Sequence, residues 1–561
     1  MRSEETTFGG RRERQWLHRW HRPIATVTFG IAVMLFWLLG YPEALNYQEQ
    51  NQLFLFTADY FVNDVKMVGG LADYVSEFIV QFYYIPWLGA LLLGVVYATL
   101  QWLMWKVVER YDRRFFTSSF FLPLLMLWHQ GDIDVLLSMH IATILALAMA
   151  ATASKLRLTP YIDIIVIPTL YWLAGPVAWI YVLLRSLSHV WKYLLPSVVW
   201  TLGSILGAYW ALDFQWPLSM MLTGTNYYRI PLMAPTMQYV VMIAPIAIAL
   251  VARFNPWRKA DTFSSPRRYL HLAMQVSAIA IVAIFTFTKG YDPFIYEMLW
   301  QDSMVRQERW NDIIERAREH QADIAFSSEC VNLALGMTGQ LPDRMFFFNQ
   351  SGTDALLLRS VRDNMSDMPT AEAFFRLGMV NSALRYMFDI QQSILNFRKS
   401  GRCTKRIAEC YIINGNYKAA AKQLELLKHS LFYSSWAKDA ETYLGNDAKV
   451  ECHKTWGKLR RLRFKDEILY NYDEKDKMLG LLFMNNTENR LALAYFMGQL
   501  LLDGKFNEFM GYMSWVQQYG GYREMPYGYA DAIQAIKQKG NVPGSAYAKY
   551  AAKMMRMNSE K

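Results

Sequence analysis

The chain has 561 residues and a net charge of +10; 53% of its residues are hydrophobic, 15% aromatic and only 19% charged. That balance excludes an average soluble domain. The positive excess lies in short clusters between apolar runs, where anionic lipid headgroups are the near partner, and no nucleic-acid-binding motif accompanies it, so nucleic acid is not an expected partner.

The two halves face different solvents. Before Lys289 there are 21 Lys and Arg against 16 Asp and Glu, gathered between long apolar stretches; the remaining 37 and 32 are spread evenly. The boundary predicts a transmembrane domain over 1–288 and an extracytoplasmic helical domain over 289–561.

The first apolar run, Pro23 to Tyr41, is long for a signal peptide and lacks a small-x-small cleavage site, so it reads as a retained anchor. With it, Tyr83 to Val107, Val135 to Ala151, Tyr193 to Leu212, Met237 to Val251 and Tyr269 to Phe287 approach the roughly 20 residues that cross a bilayer core. Phe115 to Trp128, Tyr161 to Leu173 and Pro176 to Leu187 are shorter, which leaves crossing, tilting, pairing and re-entry open. About nine spans with the N terminus inside put 19 Lys and Arg in inner segments and only Lys66 and Arg229 in outer ones. Basic residues concentrate on the cytoplasmic side, so this split predicts a multi-pass inner-membrane protein with a periplasmic second half.

The first outer segment, Pro42 to Phe82, carries Glu43, Glu49, Asp59, Asp64, Asp73 and Glu77 against Lys66. In its second part Leu71, Tyr74, Val75, Phe78, Ile79 and Phe82 recur at helical spacing. Asp73 and Glu77 fall on the opposite face, which predicts a helix lying along the membrane. The next outer loop, Trp128 to Asp134, is very short and holds His129, Asp132 and Asp134. Asp132 fits a cap of the following helix; alternatively the two carboxylates and His129 hold a divalent cation. Ionisable residues are nearly absent from mid-span positions, which disfavours a transporter. Asp163 and Arg185 read as capping or snorkelling groups near span ends, and His140 as a helix-packing histidine.

An acidic first outer loop with a juxtamembrane helix, followed by Asp132-x-Asp134 between the third and fourth spans, resembles the membrane module of GT-C glycosyltransferases. The resemblance implies transfer from a polyprenyl-phosphate-linked sugar on the outer face. Glu49 or Asp59 would then activate the acceptor, with Asp132, Asp134 and His129 around a Mg or Mn ion. The other reading is a non-enzymatic membrane scaffold whose second half binds protein partners.

From Asp302 onward the pattern is helical without a strand run. Ile407, Ala408, Tyr411, Gly415, Tyr417, Ala420, Leu424 and Leu427 resemble a tetratricopeptide repeat. The turn recurs at Gly339, Gly378 and Gly504; the glycines at 339, 378 and 415 are 39 and 37 residues apart, and the 89 from 415 to 504 leave room for an unrecognised unit. Trp310, Ile313 and Ala317 fit the second helix of a leading unit. These features predict an all-α chain, a polytopic membrane domain followed by a tetratricopeptide-like α-solenoid with a long concave face. The cysteines, Cys330, Cys403, Cys410 and Cys452, form no disulfide scaffold: a helix separates Cys403 from Cys410 by roughly 10 Å of rise. Cys452-His453 lacks metal or nucleophile spacing and reads as structural. Lys549, Lys553 and Arg556 predict a basic, solvated last helix. Over its full length the chain resembles bacterial inner-membrane proteins with a C-terminal repeat domain, through the acidic loop, Phe374-Phe375-Arg376-Leu377-Gly378 and Ala383-Leu384-Arg385-Tyr386. That family brings no activity with it.

Overall fold

A computed structural model describes residues 5–188, 191–224, 236–255, 265–394, 398–464, 471–538 and 542–559. Arg2, Arg229, Arg258 and Lys259, used above in counting charge, lie outside them. The described residues are helical, with no strand among them, and divide into two compact units, Met1–Asp292 and Pro293–Lys561.

In the first unit, α1 (Glu5–Gly40) is followed by three short helices, α2 (Pro42–Gln50), α3 (Ala58–Val65) and α4 (Gly70–Val80), and then by α5 (Pro86–Glu109). Next come α6 (Phe121–Gln130), α7 (Ser138–Lys155), α8 (Asp163–Ala174), α9 (Ala178–Ser188) and α10 (Leu194–Ala211), and finally α11 (Leu218–Thr223), α12 (Thr236–Arg253) and α13 (Ser265–Lys289). Six stretches among the described residues are long and apolar enough to cross a bilayer: Trp20–Gly40, Pro86–Glu109, Pro160–Leu187, Leu194–Ala211, Thr236–Arg253 and Tyr269–Lys289. α1 and α5 meet backbone to backbone, because a Cβ on Gly30 would stand 2.9 Å from the Gly94 carbonyl oxygen.

Helix ends gather on two faces of this unit. On one, Tyr291 stacks on Tyr41 at 5.3 Å and donates to the Leu127 carbonyl at 3.0 Å, and Gly131 touches Gly290. On the other, Arg22 donates to the Arg113 carbonyl, Arg110 to Ser154, and Asn255 to Asp112 at 2.8 Å.

The stretch Pro160–Leu187 is not straight. Gly175, at φ +69°, folds it into a hairpin of two helices each about 17–18 Å long. Trp172, near the tip, receives a bond from the Gly69 amide and donates to Val65. At the open end Asp163 and Arg185, expected as capping or snorkelling groups, are instead buried against each other: Arg185 Nε lies 3.1 Å from Asp163, which also accepts from Tyr181 at 2.5 Å. Two opposite charges removed from water need each other, and the pair closes the hairpin.

The α4 helix turns its polar side into the unit and its apolar side outward, as a helix lying along a membrane would. Glu77 and Ser76 are buried with Ala72 and Val80, whereas Phe78 is 40% exposed beside Phe56. An apolar stripe is driven inward only when the outside is water; against lipid, the polar groups are the ones that seek the protein.

The second unit begins with α14 (Pro293–Arg306), α15 (Trp310–Glu319), α16 (Ala325–Met337) and α17 (Leu341–Arg344). Helix pairs follow: α18 (Met368–Leu377) with α19 (Val380–Ser393), and α20 (Gly401–Asn414) with α21 (Tyr417–Lys428). Beyond them are α22 (Ser434–Glu441), α23 (Asp447–Cys452), α24 (Trp456–Leu462), α25 (Lys475–Asn485), α26 (Arg490–Leu502), α27 (Phe506–Gly511), α28 (Met513–Tyr519), α29 (Tyr527–Lys537) and α30 (Ala546–Ser559).

One turn recurs. Gly339, Gly378, Gly415 and Gly504 have φ of +73°, +85°, +78° and +69°. The amide after each bonds back to the carbonyl five residues before it, as in Met379 to Phe374 and Asn416 to Tyr411, both 2.9 Å. A fifth copy has no glycine: Glu308, at φ +58°, precedes Arg309, whose amide bonds to Met304 at 2.9 Å. It joins α14 to the helix starting at Trp310, the expected second helix of a leading unit. Between 415 and 504, Gly445 at φ +74° separates α22 from α23. Ala408 and Ala420 are fully buried and let α20 and α21 approach closely.

The array does not run on as an open superhelix. α24 returns to pack on α18 and α20, and α26 packs on α16. Asn489 donates to the Leu377 carbonyl at 2.8 Å, and Lys475 Nζ reaches Asp354 and the carbonyls of Thr353 and Leu357 at 2.7–2.9 Å. α30 keeps the basic residues Lys549 and Arg556 in solvent, as expected, pairs Lys553 with Asp323, and buries Tyr547 and Tyr550 against Phe346.

Two buried carboxylates of this unit sit against arginines. Asp302 receives two bonds from Arg402, at 2.5 and 3.0 Å. Burial pushes the Glu372 carboxyl up, but Arg406 and Arg376 outweigh it and hold the group at about 2. Glu329, fully buried in α16, has no cation in contact; burial raises it to about 8 even though it accepts from Thr370 at 2.9 Å and the Leu358 amide at 3.2 Å. The cysteines are free, and His453 stacks on Trp456 at 4.1 Å while accepting from its amide.

Candidate functional site

The polar groups with most potential for recognition in the first unit come from the segment after α1. Pro42 at the first helical position starts α2, and the chain leaves that helix through Gln48-Glu49-Gln50-Asn51-Gln52, every one of them at least 95% buried. α2 packs on α5 and on the 3-10 turn of residues 81–84. Tyr47 donates to Asp134 at 3.1 Å and Gln48 to the Val135 carbonyl at 3.3 Å, so the segment after α1 lies against the Asp132-x-Asp134 loop.

The expected site residues divide accordingly. Glu49 is buried in this region. Asp59 is exposed in the first turn of α3, behind a Thr57 cap, where a carboxylate favours the helix N terminus. His129 is buried at the end of α6. Asp132 is partly exposed and accepts from the Asp134 amide at 3.2 Å, the local turn-forming role open to any Asp at such a position. Among the described residues, no three His, Cys, Asp or Glu side chains converge as metal ligands would.

Sequence reasoning missed several groups. Glu77 accepts from Tyr60 inside the unit. Tyr97 donates to Gln130 at 2.6 Å and lies 3.0 Å from His140 Nε2, so His140 is a helix-packing histidine within a buried polar chain. The amide run was the available signal. Five consecutive polar residues without a Gly or Pro are unusual for a solvated loop flanked by apolar helices.

A family of unknown function, DUF6057, matches residues 18–559. The chain belongs to that family. No curated protein and no solved structure matches it. The membership spans both units.

Proposed function

We propose that this member of the family is a membrane-anchored scaffold. It crosses the inner membrane about nine times with its N terminus in the cytoplasm, and it carries a periplasmic, tetratricopeptide-like array of helix pairs that binds protein partners. The topology is supported by the basic residues Arg22, Arg110 and Arg113, which lie among the helix ends opposite those that hold Tyr41, Gly131 and Gly290. A reporter fused at Lys561 and active only in the cytoplasm would overturn it.

The observation that supports partner binding is an exposed aromatic pair on the second unit. Phe347 and Tyr527 stack at 5.6 Å while remaining 58% and 57% exposed, and Met525, just before Pro526 and Tyr527, is exposed too. Aromatic side chains dominate the energetics of interfaces, and leaving such a pair in water is unfavourable unless something covers it. A photo-crosslinking residue at Phe347 or Tyr527, in cells, is expected to trap a discrete partner that the same probe at Lys418 does not. Equal labelling at all three positions would refute the reading.

The contact between Tyr47 and Asp134 favours a second reading, sugar transfer from a polyprenyl-linked donor. There Glu49 or Asp59 serves as base, with Asp132, Asp134 and His129 at a Mg or Mn ion.

A further inference from the structure

We propose that the groove between α1 and α5 seats one acyl chain of an anionic phospholipid whose phosphate lies on Lys106, Arg22 and Arg113; this is independent of the scaffold reading. The two helices touch through Gly30 and Gly94, so closely that a Cβ on Gly94 would stand 2.6 Å from the Gly30 carbonyl oxygen. Larger side chains cannot enter that contact. Val27 and Ile31 on α1 and Val95 and Trp102 on α5 instead line an apolar groove of about 380 Å³ and are 49–58% exposed. On α5 the groove runs from Leu91 to Trp102, about 16 Å of helix, or half of a hydrocarbon core about 30 Å thick. That is the depth of one leaflet, the reach of one acyl chain.

The charge at one end of the groove selects the headgroup. Lys106 stands one turn beyond Trp102 on the same face of α5, its Nζ 5.9 Å from the centre of that ring and its side chain 41% exposed. On α1, Arg22 stands one turn before Thr26, which also lines the groove. Lys106, Arg22 and Arg113 surround Glu109, at 3.2, 4.0 and 3.5 Å. Three cations thus share one carboxylate, while the neighbouring Asp112 is taken by Arg114 at 3.0 Å and Asn255 at 2.8 Å. This excess of positive charge sits by the ends of two membrane-spanning stretches, the level at which headgroups lie, and a lipid phosphate neutralises it. A zwitterionic headgroup brings as much positive charge as negative and gains less.

The test uses the full chain in dodecyl maltoside micelles. Dioleoylphosphatidylglycerol and dioleoylphosphatidylcholine, identical in their chains, are compared by native mass spectrometry and thermal shift. Phosphatidylglycerol is expected to be retained and to raise Tm at a concentration where phosphatidylcholine does neither. Lys106→Gln, at an exposed position, should cut that preference about fivefold, the equivalent of about 1 kcal/mol for one basic residue near an anionic surface, and Lys106→Arg should keep it. Val95→Trp fills the groove from an exposed position and should lower the retention of phosphatidylglycerol; should that variant fail to fold, the lysine variants are read alone. Equal retention of the two lipids, an undiminished preference in Lys106→Gln, or unchanged retention in Val95→Trp would overturn the proposal. So would a dimer that Val95→Trp disperses, since a second copy would then fill the groove.

Discussion

Glu329 makes the stability of the second unit fall as pH rises. Its carboxyl is fully buried and raised from an ordinary 4.5 to about 8. Between those values the unfolded chain releases the proton and the folded one keeps it. Each pH unit then removes about 1.4 kcal/mol, on the order of 5 kcal/mol across the whole window, with the contribution intact below pH 4.5 and gone above 8. Glu329→Gln reproduces the protonated acid, since the amide nitrogen can donate to Thr370 and the oxygen still accepts from Leu358. In thermal melts of the full chain, the variant should match the parent near pH 5 and melt higher at pH 8, by about 2–4 °C per kcal/mol. Glu372, held at about 2, titrates outside this window. A parent and variant that shift in parallel from pH 5 to 8 would refute the argument.

Three further predictions test other parts of the fold. Ala420→Lys forces a charge into the closed contact of α20 with α21 and should cost several kcal/mol, whereas Lys418→Glu, on the exposed side, should stay within about 0.5 kcal/mol; equal melting losses would contradict the helix pairing. Gly415→Ala meets no atom within 4 Å, so its expected loss of about 1 kcal/mol measures backbone strain at φ +78° alone, and no change in Tm would mean that the turn is not left-handed. Asp132→Asn and Asp134→Asn are expected to cost on the order of 1 kcal/mol and leave partner crosslinking unchanged, while loss of sugar transfer from a lipid-linked donor without loss of folding would favour the enzyme reading.

The helical class and the turn glycines were legible because each rests on local chemistry: only glycine takes a positive φ without cost, and it does so at 339, 378, 415 and 504. Glu308 hid the same turn behind a residue that seldom adopts it. The α4 helix was recognised by period, but the burial of Ser76 and Glu77 depends on partners that period does not show. The burial of residues 48–52 depends on elements that arrive much later, α5 and the loop after α6. The return of α24 and α26 onto α16–α20 has no local signal, since the partners are far apart in the chain, as Met337 at the end of α16 is from Arg490 at the start of α26.

That return changes what the repeat pattern means for biogenesis. In an open array each pair completes its neighbour as it emerges, and units can be added or dropped at the end. Here the carbonyl of Leu377 and the backbone around Asp354 wait for Asn489 and Lys475. The early pairs therefore emerge with an unfinished flank that is closed only by the last hundred residues. Truncation near the C terminus should unsettle the helices made first, and the number of units is locked by the closure instead of being free to grow.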